Sequence, residues 1–272
     1  MNRNILSNKP TLLFLILGGF FLTNALIAEF MGVKVFSLEK TFGMLPANLS
    51  FFGQEALSFN LSAGVLLWPV VFVMTDVINE YFGIKGVRML SNMAIALIIY
   101  AFIFLYFAIN LSPADFWPTS HILPDLSETA KSELTSKVGD YDHAYRLVFG
   151  QGLWIIGGSL VAFLIGQILD VYLFHRIKRI TGEKKVWLRA TGSTLGSQLI
   201  DSFVVLFIAF YIGAGWSLSL VLAIGLMNYL YKVVMAIALT PAIYLAHFLI
   251  DRYLGEEVSS RMKMEAASPG KI

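Results

Sequence analysis

Long apolar segments separated by polar stretches dominate the chain. A helix needs about 20 apolar residues to cross about 30 Å of hydrocarbon, and six segments reach that length. They predict transmembrane helices at about 11–31, 62–82, 89–111, 147–174, 191–212 and 216–250. Residues 32–61 and 112–146 form the two long loops between them. The pattern predicts an all-α integral membrane protein with six transmembrane helices, folded as one polytopic membrane domain over residues 1–272.

The first and last apolar segments each allow a second interpretation. Arg3 and Lys9 precede the first one as in a signal peptide, but it is too long for a signal h-region and has no A-x-A site, which predicts a retained helix. The last one contains Lys232 and Pro241, and proline breaks the helical hydrogen-bond ladder. We expect one tilted, kinked helix there. The alternative is a pair of short spans that turn at Lys232, although no turn signal lies at that point.

Composition supports a membrane protein and excludes several other classes. Apolar residues make up 57% of the chain and charged residues 14%, against roughly 25% charged in soluble proteins. The absence of cysteine excludes a disulfide scaffold. A net charge of +2 is too small to indicate nucleic-acid binding. The expected surroundings are therefore a lipid bilayer, with no nucleic-acid partner.

Lysine and arginine are distributed unequally between the two sets of loops. Fourteen fall on the side that carries both termini, five fall on the other side, and Lys232 lies within a span. Because cytoplasmic loops carry the excess of positive charge, both termini are predicted to be cytoplasmic, which requires an even number of spans. On the opposite side, loop 32–61 contains β-like runs at 33–38 and 57–61 that are compatible with a hairpin. Loop 112–146 is acidic and suggests a solvated connector with one short helix.

Six ionisable residues lie within or near the predicted spans. Each costs about 2.5–3.5 kcal/mol at the bilayer centre, so facing lipid together they would cost on the order of 15–20 kcal/mol. They are expected to face the bundle interior, a wet cavity or an interface. By depth, Asp76, Asp201 and Lys232 lie near the middle, and Glu80 lies one turn from Asp76 on the same face. Glu29 is expected at the outer boundary and Asp170 as an interfacial helix-end charge.

Polar side chains accompany the acids at mid-depth. Gln198 lies beside Asp201 on a helix that also carries Thr194 and Ser197, and Asn228 comes one turn before Lys232. Such residues often serve only as interhelical hydrogen-bond partners. A structural ion pair between Lys232 and one acid would leave the other carboxylates unexplained, however. Together with the interruption of the second span at Trp68 and Pro69, the cluster indicates a transporter binding site.

The polar residues also form a recognisable pattern. The second span reads GVLLWPVVFVMTDVINEYFG at 64–83, which contains Asp76, Asn79 and Glu80. This run resembles the signature of the queuosine precursor transporters in the vitamin uptake transporter family. Further matches are Gly166-Gln167-x-x-Asp170, Ser193-Thr194-x-x-Ser197-Gln198-x-x-Asp201, Lys232 and Thr240-Pro241-x-x-Tyr244. Loop 112–146 has no counterpart in the family.

The resemblance implies a fold similar to the substrate-binding component of energy-coupling-factor transporters. It also implies uptake of 7-deazaguanine bases, such as the cyano and aminomethyl forms and queuine, across a bacterial inner membrane for tRNA queuosine salvage. A carboxylate can accept the ring N–H and the exocyclic NH₂ of such a base in parallel. The predicted binding residues are Asp76, Asn79, Glu80, Gln198, Asp201, Asn228 and Lys232, with Trp68 and Phe72 as stacking partners.

Three other functions are compatible with parts of the sequence. Gly157-Gly158-Ser159 loosely resembles a buried serine nucleophile, but the nearest histidine, His175, lies beyond the end of that helix, so we expect no enzyme. A P-loop is absent, so the main alternative is the substrate-binding component of an ATP-driven vitamin or nucleobase transporter complex. A purely structural membrane protein would not need clustered acids. We expect no cofactor and no metal, and Gly157, Gly158 and Gly166 are compatible with a homo-oligomer.

Overall fold

The computed structural model describes residues 8–150, 153–181 and 186–267, and it is predominantly helical. Its helices are α1 (Lys9–Met31), α2 (Leu38–Thr41), α3 (Trp68–Ile109), α4 (Glu128–Lys137), α5 (Tyr141–Phe149), α6 (Leu153–Thr181), α7 (Val186–Leu206), α8 (Leu218–Ala238), α9 (Thr240–Leu254) and α10 (Glu256–Ala267). The strands are β1 (Val35–Ser37), β2 (Leu49–Phe51), β3 (Gln54–Leu57) and β4 (Asn60–Ser62). Within these ranges, five helices are long and apolar enough to cross a membrane.

Helix α3 contains both the second and the third predicted spans. At Gly83 the backbone leaves the helical region, with φ 67° and ψ −172°, a conformation that favours glycine. The hydroxyls of Thr75 and Ser91 both lie 3.2 Å from Oε1 of Gln167. In a straight helix these two residues would be about 24 Å apart. The chain therefore reverses at Gly83, and the two halves of α3 lie side by side.

The last predicted span is divided as well. Helix α8 ends at Ala238 and α9 begins at Thr240, with Pro241 in its first turn, where the missing N–H costs no helical hydrogen bond. Lys232 lies inside α8, so the alternative of two short spans that turn at Lys232 is wrong. The fourth span also begins later than predicted, because residues up to Phe149 form the separate helix α5. It ends later as well, since α6 continues to Thr181.

The bundle core lies where α1, both halves of α3 and α6 meet. Phe21 and Ala25 of α1 pack with Val71 and Leu90 of α3 and with Phe163 of α6. Helices α6 and α7 pack along most of their lengths, and Gly158 lets the α7 backbone approach, since a Cβ there would lie 3.1 Å from the Val205 carbonyl oxygen. Gly158 thus serves a contact within one chain, whereas a Cβ at Gly157 would meet no described atom within 4 Å.

The loop between α1 and α3 forms a small β structure over one end of the bundle. Strand β1 pairs with β4 in antiparallel register, with Phe36 opposite Leu61, and β2 pairs with β3. Leu61 packs on Tyr231 of α8 and so fixes the sheet to the bundle. The two β-like runs of the sequence are thus strands that pair with each other. Loop 112–146 contains α4 and the start of α5, so one short helix was too few.

Helix α10 covers the reversal of α3 at the opposite end. A Cβ at Gly83 would lie 3.2 Å from the Ala266 carbonyl oxygen. Asp251 of α9 links α3 to α10. It accepts hydrogen bonds from Tyr81 of α3 at 2.8 Å and, in α10, from Lys263 at 2.9 Å and from Ser259. Burial opposes ionisation of Asp251, but these three hydrogen bonds outweigh it and hold the pKa of that carboxyl below its usual value.

Candidate functional site

Asp76 lies in the first half of α3 and is 1% exposed. The Ser193 hydroxyl donates to its Oδ1 at 3.3 Å, and the Thr194 hydroxyl donates to its Oδ2 at 3.2 Å. Both donors belong to α7, whose hydroxyl-rich face packs on α3. Asp76 is therefore held by neutral donors that a ligand with stronger N–H donors could replace.

Asp170 lies on α6 and is fully buried, where it accepts a hydrogen bond from the Ser197 hydroxyl at 3.1 Å. The expectation that Asp170 is an interfacial helix-end charge was wrong. Helix α6 continues to Thr181, so about three helical turns follow Asp170. Sequence reasoning therefore missed Asp170 as a member of this buried polar cluster. The hydroxyl stripe of α7 was the signal in the sequence, because such hydroxyls need acceptors on the facing helix.

Lys232 and Asp201 form an ion pair between α8 and α7. The Lys232 Nζ lies 2.5 Å from Asp201 Oδ2, and the side chains are 8% and 18% exposed. A Cβ at Gly166 of α6 would lie 3.6 Å from Phe72 and 3.7 Å from Asp201, so these two side chains meet at this glycine. Replacing either ionic partner alone would leave a largely buried, unpaired charge.

A small cavity lies beside residues that bond Asp76 and Asp201, although neither carboxylate is among its lining residues. It is lined by Thr194, which bonds Asp76, by Lys232, which bonds Asp201, and by Gln198 between them, with Pro69 and Val73 on the α3 side. Its volume is about 10 Å³, close to the space one water molecule requires. The Gln198 Nε2 is buried and has no hydrogen-bond partner in the part of the chain that the structure describes. The cavity thus joins one unsatisfied donor to two carboxylate sites.

Glu80 and Asn79 lie one turn further along α3, beside the end of α6. Lys178 Nζ is 3.3 Å from Glu80 Oε2, and both side chains are buried. The His175 Nε2 lies 2.9 Å from Asn79 Oδ1, a carbonyl oxygen that accepts. This polar layer continues the row of acids from Asp76 toward the end of the bundle that α10 covers.

The remaining predicted residues lie around this centre. The Trp68 ring packs on Phe163, with centroids 5.2 Å apart, and on Phe72, with centroids 6.4 Å apart. Neither Trp68 nor Phe72 is among the cavity-lining residues. Asn228 is half-buried, one turn before Lys232. These side chains border the site rather than line it.

Glu29 and Gln167 are two further buried polar residues. Glu29 lies near the end of α1, as expected, but it is 7% exposed and accepts a hydrogen bond from Ser159 of α6, so it is not solvated there. The Ser159 hydroxyl, the nucleophile candidate of the sequence, thus donates to Glu29 rather than to a histidine base. Gln167 is 3% exposed and binds the hydroxyls of both halves of α3. Nothing in its local sequence indicates those partners, because the reversal at Gly83 creates them.

Comparison with known proteins adds independent information. The family described as putative vitamin uptake transporter matches residues 62–246. A probable queuosine precursor transporter of Bacillus subtilis (strain 168) is 29% identical over 215 residues, which is 77% of this chain and 82% of that protein. The queuosine precursor transporter of Escherichia coli (strain K12) is 26% identical over 204 residues, which is 72% of this chain and 77% of that protein. A probable queuosine precursor transporter of Haemophilus influenzae is 26% identical over 208 residues. No solved structure matches the chain significantly.

Proposed function

Because this chain belongs to the family of putative vitamin uptake transporters, we propose that it imports queuosine precursors across a bacterial inner membrane for salvage into tRNA. The resemblance found in the sequence is confirmed by the family match and by relatives named queuosine precursor transporters. The family and these relatives are transporters and not enzymes. The observation that carries the proposal is the cavity that joins Gln198 to Asp76 and to the Lys232–Asp201 pair.

We propose six membrane spans, with both termini in the cytoplasm. A straight helix of 42 residues would be about 63 Å long, twice the hydrocarbon thickness, and the reversal at Gly83 divides α3 into two antiparallel spans. The unequal distribution of lysine and arginine supports the orientation. In this topology the β structure between α1 and α3 faces the outside, and α10 faces the cytoplasm. The similarity to the substrate-binding component of energy-coupling-factor transporters belongs to the same proposal.

The substrates proposed are 7-deazaguanine bases, including the cyano and aminomethyl forms and queuine. Asp76 would accept the ring N–H and the exocyclic NH₂ in place of Ser193 and Thr194, since a carboxylate accepts two parallel donors. Gln198 would donate its unused N–H to the ring carbonyl. A ligand without matching groups would leave these buried polar atoms unpaired, which gives discrimination. Lys232 and Asp201 would balance charge, and Glu80, Asn79, Asn228, Trp68 and Phe72 would border the bound base.

A cavity of about 10 Å³ requires movement during transport. A bicyclic base is several times larger than a water molecule, so binding must separate the helices around the cavity. The α3 side contributes Pro69 and Val73, and the facing side contributes Thr194 and Gln198 of α7. The structure thus corresponds to a closed state that opens when α3 and α7 move apart.

The test is uptake in a bacterial host that lacks both queuosine synthesis and its own precursor transporter. Each 7-deazaguanine base is supplied in turn, and queuosine in tRNA is measured. The wild-type chain should restore queuosine, whereas Asp76→Asn should abolish it at equal membrane abundance because the amide nitrogen repels the substrate N–H. Asp115→Asn, an exposed acid in the outer loop, is the matched control and should act as wild type. Failure of the wild-type chain with every base contradicts the function, and normal uptake by Asp76→Asn contradicts the site.

The alternative, a substrate-binding component of an ATP-driven complex, is not favoured, since the named relatives are themselves transporters. Reconstitution separates the two. The purified chain alone should equilibrate a labelled base across vesicles without ATP, and a requirement for an added ATPase would favour the alternative.

A further inference from the structure

Asp76 and Asp170 face the same group of hydroxyls. They lie on different helices, α3 and α6, and are 1% and 0% exposed. Ser193 and Thr194 donate to Asp76, and Ser197 donates to Asp170. The two carboxyl groups are therefore joined through one layer of α7.

The hydroxyls do not supply enough protons for two ionised carboxylates. Each serine or threonine hydroxyl has a single proton to donate, so Ser193, Thr194 and Ser197 together provide three. Two of them are used at Asp76 and one at Asp170 Oδ1, while Asp170 Oδ2 is buried without a partner. A proton bound at Asp170 Oδ2 would remove the charge from this unpartnered oxygen.

The basic side chains that the structure describes near Asp76 and Asp170 bond other residues. On α3, Glu80 lies one turn from Asp76 and pairs with Lys178 of α6. On α8, Lys232 pairs with Asp201 of α7. The neighbouring His175 of α6 binds Asn79.

Arg189 precedes Ser193 by one turn of α7, and its side chain lies outside the described residues. Among the side chains that the structure describes, none with a positive charge is bonded to Asp76 or Asp170. Two adjacent buried carboxylates repel each other, and one of them is most stable in the protonated form.

We propose that Asp76 and Asp170 form a proton-binding site and that the shared proton crosses the membrane together with the substrate. This rests on the proposed function. Thr194 couples substrate binding to proton binding, because its hydroxyl donates to Asp76 and its side chain lines the cavity. A base that donates two N–H groups to Asp76 requires that carboxyl to be ionised, so the proton moves to Asp170 Oδ2. After the base has left, the more alkaline side takes up the proton, and the empty site regains one from the acidic side before the next base binds, so the balance is one proton for each base.

The experiment uses the purified full chain in liposomes, with the labelled cyano-substituted 7-deazaguanine. With one proton per base, an imposed gradient of one pH unit, acid outside, should drive up to about tenfold accumulation. A protonophore should abolish it. Asp170→Asn should reduce the inside-to-outside ratio to about one and remove the pH dependence of base exchange. Asp115→Asn should accumulate base as the wild type does.

The outcomes separate the two proposals. Base exchange by the wild-type chain without gradient-driven accumulation overturns the proton site and leaves the transport function intact. No binding or exchange of any base at any pH overturns the transport function itself. If Asp170→Asn fails to fold, infrared difference spectra of the wild type decide the question. The carbonyl band of a protonated carboxylic acid must be present before the base is added and must shift on binding, and a spectrum without that band overturns the proposal.

Discussion

The Lys232–Asp201 pair allows a quantitative test of how the bundle tolerates charge. Replacing Lys232 by Met leaves the Asp201 carboxylate, 18% exposed, without its partner, and replacing Asp201 by Asn leaves Lys232, 8% exposed, in the same position. Breaking a buried pair from one side typically costs about 3–5 kcal/mol, because the remaining charge is uncompensated. Replacing both residues removes that penalty. The double variant should therefore be more stable than either single variant.

The assay is chemical unfolding in detergent micelles, with the free energy of unfolding measured for the wild type, both single variants and the double variant. The expected coupling energy between the two substitutions is about 0.5–3 kcal/mol, at the upper end of that range. The exposed pair Lys137–Glu133 has the same 2.5 Å separation, with side chains 67% and 63% exposed, and is the matched control. Its coupling should be about 0.3–0.5 kcal/mol. Equal coupling for the two pairs would refute the argument that burial determines the cost.

Two further predictions concern the end of the bundle that α10 covers. Gly83→Ala should lower the free energy of unfolding by about 1–3 kcal/mol, because alanine is strained at φ 67° and its Cβ would press on the Ala266 carbonyl. The control Gly19→Ala, where no atom lies within 4 Å of the added Cβ, should be neutral or stabilising, and equal losses would contradict the prediction. The folded pKa of Asp251 lies below its unfolded value, so its hydrogen bonds stabilise α10 above about pH 4 and are lost as the pH falls through the folded pKa. Hydrogen exchange of α10 amides should therefore accelerate in acid for the wild type, and Asp251→Asn should remove that pH dependence.

The apolar pattern of the sequence located the helices because a membrane span must satisfy its own backbone over about 20 residues. It did not show how the second and third spans are joined. Lys85 and Arg88 indicated a loop, whereas the chain turns at the single residue Gly83 and both charged residues lie within α3. One left-handed glycine replaces several loop residues, and hydropathy carries no information about backbone angles.

The same limit explains the outcome for the site. Counting helical rise led us to expect Asp76, Asp201 and Lys232 near mid-depth. In the structure Lys232 bonds Asp201 and lines the same cavity as Thr194, which bonds Asp76. Asp170 was misplaced because its depth depended on where α6 ends, and the basic cluster His175, Arg176, Lys178 and Arg179 suggested too early an end. Helix ends near an interface are set by tertiary contacts such as Lys178–Glu80, which a linear count does not include.

The tight closure of the central cavity has a further consequence for a cell that carries this protein. A passage wide enough for a bicyclic base, if it stayed open, would also conduct water and small ions and would discharge the energised membrane. Here the helices close to about the space of a single water molecule, and Lys232, which lines this space, is paired with Asp201. In the proposed closed state the protein would therefore keep the membrane sealed between transport events.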